Sequence, residues 1–187
     1  MEEIRISDYT ATKVSDTRFG LDAGTMFHMI PRALWEKKVR PDEQHRIFIG
    51  LNCLLLRGRG RTILYDAGVG SKLNEKRRKI FGLDPTATLI HDLEKAGVRR
   101  SEIDTVVLSH LHFDHAGWAT VREGDREPTP AFSNAEYIVQ QAEWEAACSP
   151  NELNAGSYLS ADFLPLSASG QLRLAHGPVE VAPGVLA

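Results

Sequence analysis

Thr105-Val106-Val107-Leu108-Ser109-His110-Leu111-His112-Phe113-Asp114-His115-Ala116-Gly117 is the stretch that decides how this chain reads. It begins inside a short apolar, β-branched run, Ile103 to Leu108, as expected of a buried strand. Three of the seven histidines and an aspartate then fall within six residues. Residues two apart on an extended chain point the same way, so His110 and His112 can present two imidazoles to one metal ion. Asp114 and His115 follow as the chain turns, and they reach a neighbouring position. Imidazole nitrogen and carboxylate oxygen are ligands for zinc, and catalytic zinc keeps one position open for water. Such water loses its proton near neutral pH and becomes a nucleophile. Burying four such groups after an apolar strand without a shared charge partner would be costly.

Composition sets the frame around this stretch. The 187 residues hold 22 basic and 25 acidic side chains, a net charge of −3. That balance offers no electrostatic case for nucleic-acid binding. No apolar run approaches the roughly 20 residues that span a bilayer, so no membrane partner is expected. Met1-Glu2-Glu3-Ile4-Arg5 is acidic and has no apolar core, unlike a secretory signal. Cys53 and Cys148 are too few for a disulfide framework. A cytoplasmic, reducing compartment is the expectation.

Working outward, the chain alternates strand-like and helix-like stretches. Glu3 to Val14 reads as one or two strands, and Gly20 to Glu43 as a long irregular segment of the kind that forms lids or pocket walls. Ile47 to Leu56 and Thr62 to Tyr65 form a hairpin around Arg57-Gly58-Arg59-Gly60. Helices are expected over Lys72 to Phe81 and Thr86 to Ala96, with Gly82 and Gly97 as stops. Glu136 to Val139 reads as a strand and Gln141 to Ala147 as a helix. Leu172 to Leu174 and Val179 to Val181 read as strands of a meander.

His110-x-His112-x-Asp114-His115, preceded by Thr105 to Ser109, resembles the signature of the metallo-β-lactamase superfamily. Leu64-Tyr65-Asp66-Ala67-Gly68 resembles that family's early strand ending in Asp-x-Gly. Ser133 to Tyr137 with Glu143-Trp144, and Met26-Phe27, Pro31 to Trp35 and Asp42-Glu43, are similar to its lactonase-like branch. The implied fold is α/β, a four-layered αβ/βα sandwich with a binuclear metal site between two sheets. Residues 1–187 would be one such domain, mainly its N-terminal half and incomplete at the C-terminus.

The resemblance also implies roles. His110 and His112 would bind a first zinc ion, and Asp114 and His115 a second. Asp114 would be the catalytic, proton-handling carboxylate, and Asp66 would orient the site. Oxygen-reducing iron members carry glutamate where this chain has His112, so hydrolysis is favoured over redox chemistry. The expected reaction is attack of zinc-bound hydroxide on a small ester, lactone or thioester, with N-acyl homoserine lactones among the candidates. No basic patch adjoins the signature in sequence, which disfavours a phosphodiesterase branch.

The family's site needs further ligands downstream: a third histidine for the first metal, a bridging aspartate and a last histidine. After His115 this chain has one histidine, His176, and two aspartates, Asp125 and Asp162. Leu174-Ala175-His176-Gly177-Pro178 is not the family's ligand context, and a solvated turn histidine is the expectation there. Val179 to Val185 resembles what precedes the absent histidine segment. Either the chain is cut short or it is complete and degenerate, and the four intact signature ligands favour the first account. The alternative function is a non-catalytic metal-binding fragment, or one completed by a partner. Apolar surface left without a second sheet would favour pairing with another copy, a homo-oligomer.

Other features have plainer readings. The basic run Lys72, Lys76, Arg77, Arg78 and Lys79 reads as a solvated helix face rather than a phosphate site. Cys53 reads as core, and nothing in the sequence activates Cys148. Met26, Phe27, Met29 and Trp35 read equally as core or as the lining of an acyl-chain pocket. His28 and His45 read as surface residues, and Gly68 and Gly70 as turn glycines.

Overall fold

Cys53 and Leu55 face one way from their strand and Leu56 faces the other, and all three are buried. A strand buried on both faces belongs inside a sheet. The computed structural model, which describes residues 2–187, has such a sheet with seven strands. The strands of the chain are β1 (Glu3–Ile6), β2 (Tyr9–Asp22), β3 (Arg46–Gly58), β4 (Arg61–Tyr65), β5 (Thr105–Val107), β6 (Thr120–Val121), β7 (Thr129–Pro130), β8 (Glu136–Gln140), β9 (Leu172–Ala175), β10 (Glu180–Ala182) and β11 (Val185–Leu186). The large sheet runs β1-β2-β3-β4-β5-β8-β9. Its first four strands are antiparallel, and β4, β5, β8 and β9 are parallel. Pairs β6-β7 and β10-β11 stand apart from it.

Among the described residues seven α-helices connect the strands: α1 (Ala23–Phe27), α2 (Arg32–Trp35), α3 (Glu75–Ile80), α4 (Leu89–Lys95), α5 (Phe113–Ala116), α6 (Gln141–Cys148) and α7 (Ser160–Ala168). Leu89 and Leu93 of α4, Ala147 of α6, and Phe163 and Leu166 of α7 bury one face of the sheet against Val14, Leu55, Leu64, Val106 and Tyr137. The opposite face is covered more thinly. Tyr9, Ala11, Leu56, Ile63 and Val107 meet Ala182 of β10 there, and Leu54 stays 40 % exposed. This is a mixed α/β fold with one large sheet, as the expected sandwich requires of each half. No helix among the described residues is long and apolar enough to cross a membrane.

Two expectations need correction. The chain is not irregular from Gly20, because β2 continues to Asp22, pairing Arg18–Asp22 with Gly50–Arg46. A register shift between Ser15 and Arg18 hides this continuation in the sequence. Both Asp16 and Thr17 are buried there, so the alternation breaks as it does at a bulge. The C-terminal strands do not form a meander either. Helix α7 was not expected, since Pro165 interrupts its pattern. It makes the crossover that lets β9 join β8 in parallel, while β10 turns back on β11 alone.

Met26, Phe27, Met29 and Trp35 divide between the two readings. Trp35 is buried and stacks on Phe27 with ring centroids 4.8 Å apart, whereas Met26 and Met29 are exposed. Cys53 is buried and Cys148 exposed.

Candidate metal centre

Strand β5 is held on both sides, and Leu108 still donates to Ile138 O at 3.0 Å before the chain leaves the sheet. The next residues are fixed one by one. Leu111 N donates to Glu143 Oε1 of α6 at 2.8 Å. His112 lies just before α5, and its carbonyl accepts from His115 N and Ala116 N at 2.9 Å each. Its ring meets Tyr158 edge-on at 4.8 Å. The spacing of the signature therefore becomes a turn pinned by α6 and by the segment before α7.

The facing loop follows β4. Ala67 N donates to His115 O, Gly117 N to Gly68 O and Trp118 N to Ala67 O. This approach is close enough that a Cβ on Gly70 or Gly117 would overlap the other loop's backbone. The buried Asp16 anchors the arrangement from β2. Its carboxylate accepts from Val69 N at 2.8 Å, Gly70 N at 3.2 Å, Leu89 N at 2.8 Å and Trp118 Nε1 at 3.0 Å. Burial raises its pKa, against the pull of those donors.

All four signature residues gather at this junction. The His110 ring lies 4.6 Å from that of His112 and 4.0 Å from that of His115. His115 Nε2 is 3.6 Å from Asp114 Oδ2. Its other nitrogen, Nδ1, is 2.9 Å from Asp66 Oδ2. Asp66 also accepts from Ser109 N at 2.8 Å and from Ser109 Oγ at 2.9 Å. Ser109 Oγ in turn is 3.0 Å from His110 Nδ1. If the hydroxyl proton goes to Asp66, the serine oxygen accepts from His110 Nδ1. Both histidines then keep Nε2 as a lone-pair donor.

The electrostatics favour a neutral His110 but a more readily protonated His115, whose Nε2 is a lone-pair donor only in the neutral form. Burial raises the Asp66 pKa, but the bonds from His115 and Ser109 outweigh it and hold the carboxyl below its ordinary value. Burial lowers His115, yet the Asp66 bond and the Asp114 charge leave it above its ordinary value. His110 is lowered by burial and by its two histidine neighbours, so it stays neutral at lower pH.

Imidazoles beside carboxylates fit a divalent metal by donor chemistry and by proximity. Among the described residues, however, no three of these groups are arranged to hold one ion. Their polar atoms are engaged with one another, His115 with Asp66 and Asp114, and His110 with Ser109. A cavity of about 290 Å³ opens beside them, lined by Asp66, Asp114, His115, Gly68, Cys53 and Leu51 among others.

His176 is exposed in the turn after β9, and His28 and His45 are exposed at the other end of the chain. None of the three joins the cluster. The basic run is not simply a solvated face. The Lys72 side chain is 7 % exposed, pairs with Asp162 of α7 at 3.1 Å, and donates to Thr120 O at 2.6 Å and to Gly117 O. Sequence reasoning passed over Asp16, Ser109, Lys72 and Tyr158 as parts of the site. Only Ser109, adjoining the signature, carried a local signal.

Comparison with known proteins places these features in context. Residues 47–121 match the family model described as Metallo-beta-lactamase superfamily. An N-acyl homoserine lactonase of Bacillus cereus is 36 % identical over 93 residues, 50 % of this chain and 30 % of that protein. A probable metal-dependent hydrolase from Staphylococcus aureus superposes with a TM-score of 0.87 at 29 % identity, covering 98 % of this chain and 64 % of that one. AidC, a dizinc quorum-quenching lactonase solved with a product, shares the fold at a TM-score of 0.73 and 18 % identity, covering 97 % and 63 % of the two chains. The chain thus spans about 30 % of the Bacillus cereus relative in sequence, and under two thirds of these structures.

Proposed function

We propose, on the match of residues 47–121 to a metallo-beta-lactamase superfamily model, that the chain is a metal-dependent hydrolase of a small ester or lactone. The observation that carries the reading is the junction of His110, His112, Asp114 and His115 beside a cavity of about 290 Å³. His110 and His112 would hold one zinc ion, and Asp114 and His115 a second. When bound, the metal supplies Lewis acidity and lowers the pKa of water.

The chain's own residues do the rest. Asp66 holds His115 by Nδ1, and through Ser109 it holds His110 by Nδ1. Such partners fix the tautomer and ring direction of a ligating histidine. Asp114 borders the cavity. As water attacks the substrate carbonyl carbon, a proton passes to an Asp114 carboxylate oxygen. The same proton then goes to the departing oxygen as the acyl–oxygen bond breaks. N-Acyl homoserine lactones head the substrate list because the Bacillus cereus relative is named for them.

A second reading, favoured by the engagement of the donor atoms with each other, is a non-catalytic metal-binding fragment. One experiment tests both. Zinc content and hydrolysis of N-hexanoyl homoserine lactone and phenyl acetate are measured for wild type, His110→Ala and Asp114→Asn. Zinc-dependent hydrolysis lost in both variants supports the hydrolase. Zinc bound with no hydrolysis supports the second reading. Zinc-independent hydrolysis, or none with no zinc bound, overturns the assignment.

A further inference from the structure

The basic run contains a feature that the hydrolytic site does not use. Arg77 of α3 and Arg122, just after β6, line a cleft of about 400 Å³ together with Asn74, Tyr158, Ser160 and the Lys72–Asp162 pair. These arginines are 45 positions apart in the chain, and folding brings them to one wall. The acidic groups at hand are already taken. Asp162 pairs with Lys72 at 3.1 Å, and Glu123 lies 3.9 Å from Arg126. Among the described residues neither Arg77 nor Arg122 has an ion-pair partner. The Lys72 ammonium is committed to Gly117 O, Thr120 O and Asp162; Arg77 acts on Asp162 only at longer range, and Arg122 faces the Lys72 charge, so neither guanidinium group has a contact ion pair.

Two guanidinium groups in one cleft, neither in a contact ion pair, make a site for a planar or tetrahedral oxyanion, which they can bind through paired N–H donors. Tyr158 joins this cleft to the metal centre, since its ring also contacts His112 at 4.8 Å. We propose that the Arg77–Arg122 cleft is an anion subsite that holds a carboxylate or phosphate group of a small molecule. On the hydrolase reading, that group belongs to the substrate, whose reacting carbonyl lies on the His112 side of Tyr158. The substrate class is then an ester or lactone carrying a second, anionic group.

The test is calorimetric titration of the full chain with glutarate and with inorganic phosphate at constant ionic strength, each in wild type and variants. The His110→Ala protein is titrated as well, because either anion could otherwise bind a metal ion at the candidate centre. Saturable binding is expected in wild type and in His110→Ala. It should weaken about tenfold in Arg77→Gln and in Arg122→Gln, the loss of a charge-assisted contact. Arg77→Lys should recover part of it, and Arg126→Gln should leave it unchanged. Preference for glutarate assigns a carboxylate, and preference for phosphate a phosphoryl group. Absence of saturable binding, loss of binding with His110→Ala, or equal affinity in the folded Arg77→Gln/Arg122→Gln double variant overturns the subsite. Hydrolysis of phenyl acetate without anion binding refutes the subsite and leaves the hydrolase standing. Anion binding without any hydrolysis does the reverse.

Discussion

Asp66 Oδ2 lies 2.9 Å from His115 Nδ1, and the same carboxylate reaches His110 through Ser109. One aspartate after β4 therefore orients two histidines on the loop after β5. Asp66→Ala should lower zinc affinity by about 10- to 100-fold, the usual cost of losing such a partner. Competition against a chromogenic chelator measures it. Ser109→Ala should show a smaller loss, because it leaves the His115 contact intact. An unchanged affinity in Asp66→Ala would refute the orienting role.

Asp16 joins four segments through one buried carboxylate, accepting from Val69, Gly70, Leu89 and Trp118. Asp16→Ala leaves three buried backbone donors and the part-buried Trp118 Nε1 without their acceptor and should destabilise the fold by about 3 kcal/mol or more. Urea unfolding reads the loss. Trp118 loses its Nε1 partner, so its fluorescence should change in the folded variant even at low denaturant.

Gly117 faces the Val69–Gly70 backbone with no room for a Cβ. Gly117→Ala should cost roughly 1–3 kcal/mol, as overpacking does. Because Gly117 lies two residues past His115, the displaced loop should also weaken zinc binding. A variant with wild-type stability would show that the two loops separate freely.

Asp162 gives a pH signature. Burial pushes its carboxyl from the ordinary 3.8 up to about 6, against the opposing pull of Lys72. The folded state thus holds a proton that the unfolded chain releases between those values. Its contribution to stability is fully present below pH 3.8 and is lost as pH rises through about 6. Relative to Asp162→Asn, wild type should gain stability as pH falls from 7 to 4. Thermal or urea unfolding across that range checks the slope, and parallel profiles would contradict it.

The signature was legible because its four residues lie within six positions and follow a β-branched run. Local spacing is enough to show that such residues share a turn. The β3–β4 hairpin and the end of α4 were legible for the same reason. Arg59-Gly60 marks the turn, both with positive φ, and Gly97 with positive φ stops α4, whose start lies at Leu89 rather than Thr86. Helix α7 was not legible, since Pro165 sits inside it. The far part of β2 was hidden by its bulge.

What supports the site was less legible still. Glu143 reaches Leu111 across 32 positions, and Asp16 reaches Trp118 across 102. No spacing rule connects partners so distant. Lys72 looked like one more charge in a solvated run until α7 placed Asp162 against it.

By itself the sequence determined the resemblance to the family and which residues are its candidate donor groups, because both are written in contiguous patterns. Tertiary structure alone decided which carboxylate orients which histidine, which lysine is buried, and that Arg77 and Arg122 share a cleft. Those relations depend on how sheet and helices close on one another, and burial changes what a charged side chain can do. A basic run that local pattern assigns to solvent becomes, once folded, one buried ion pair and one wall of a cationic cleft.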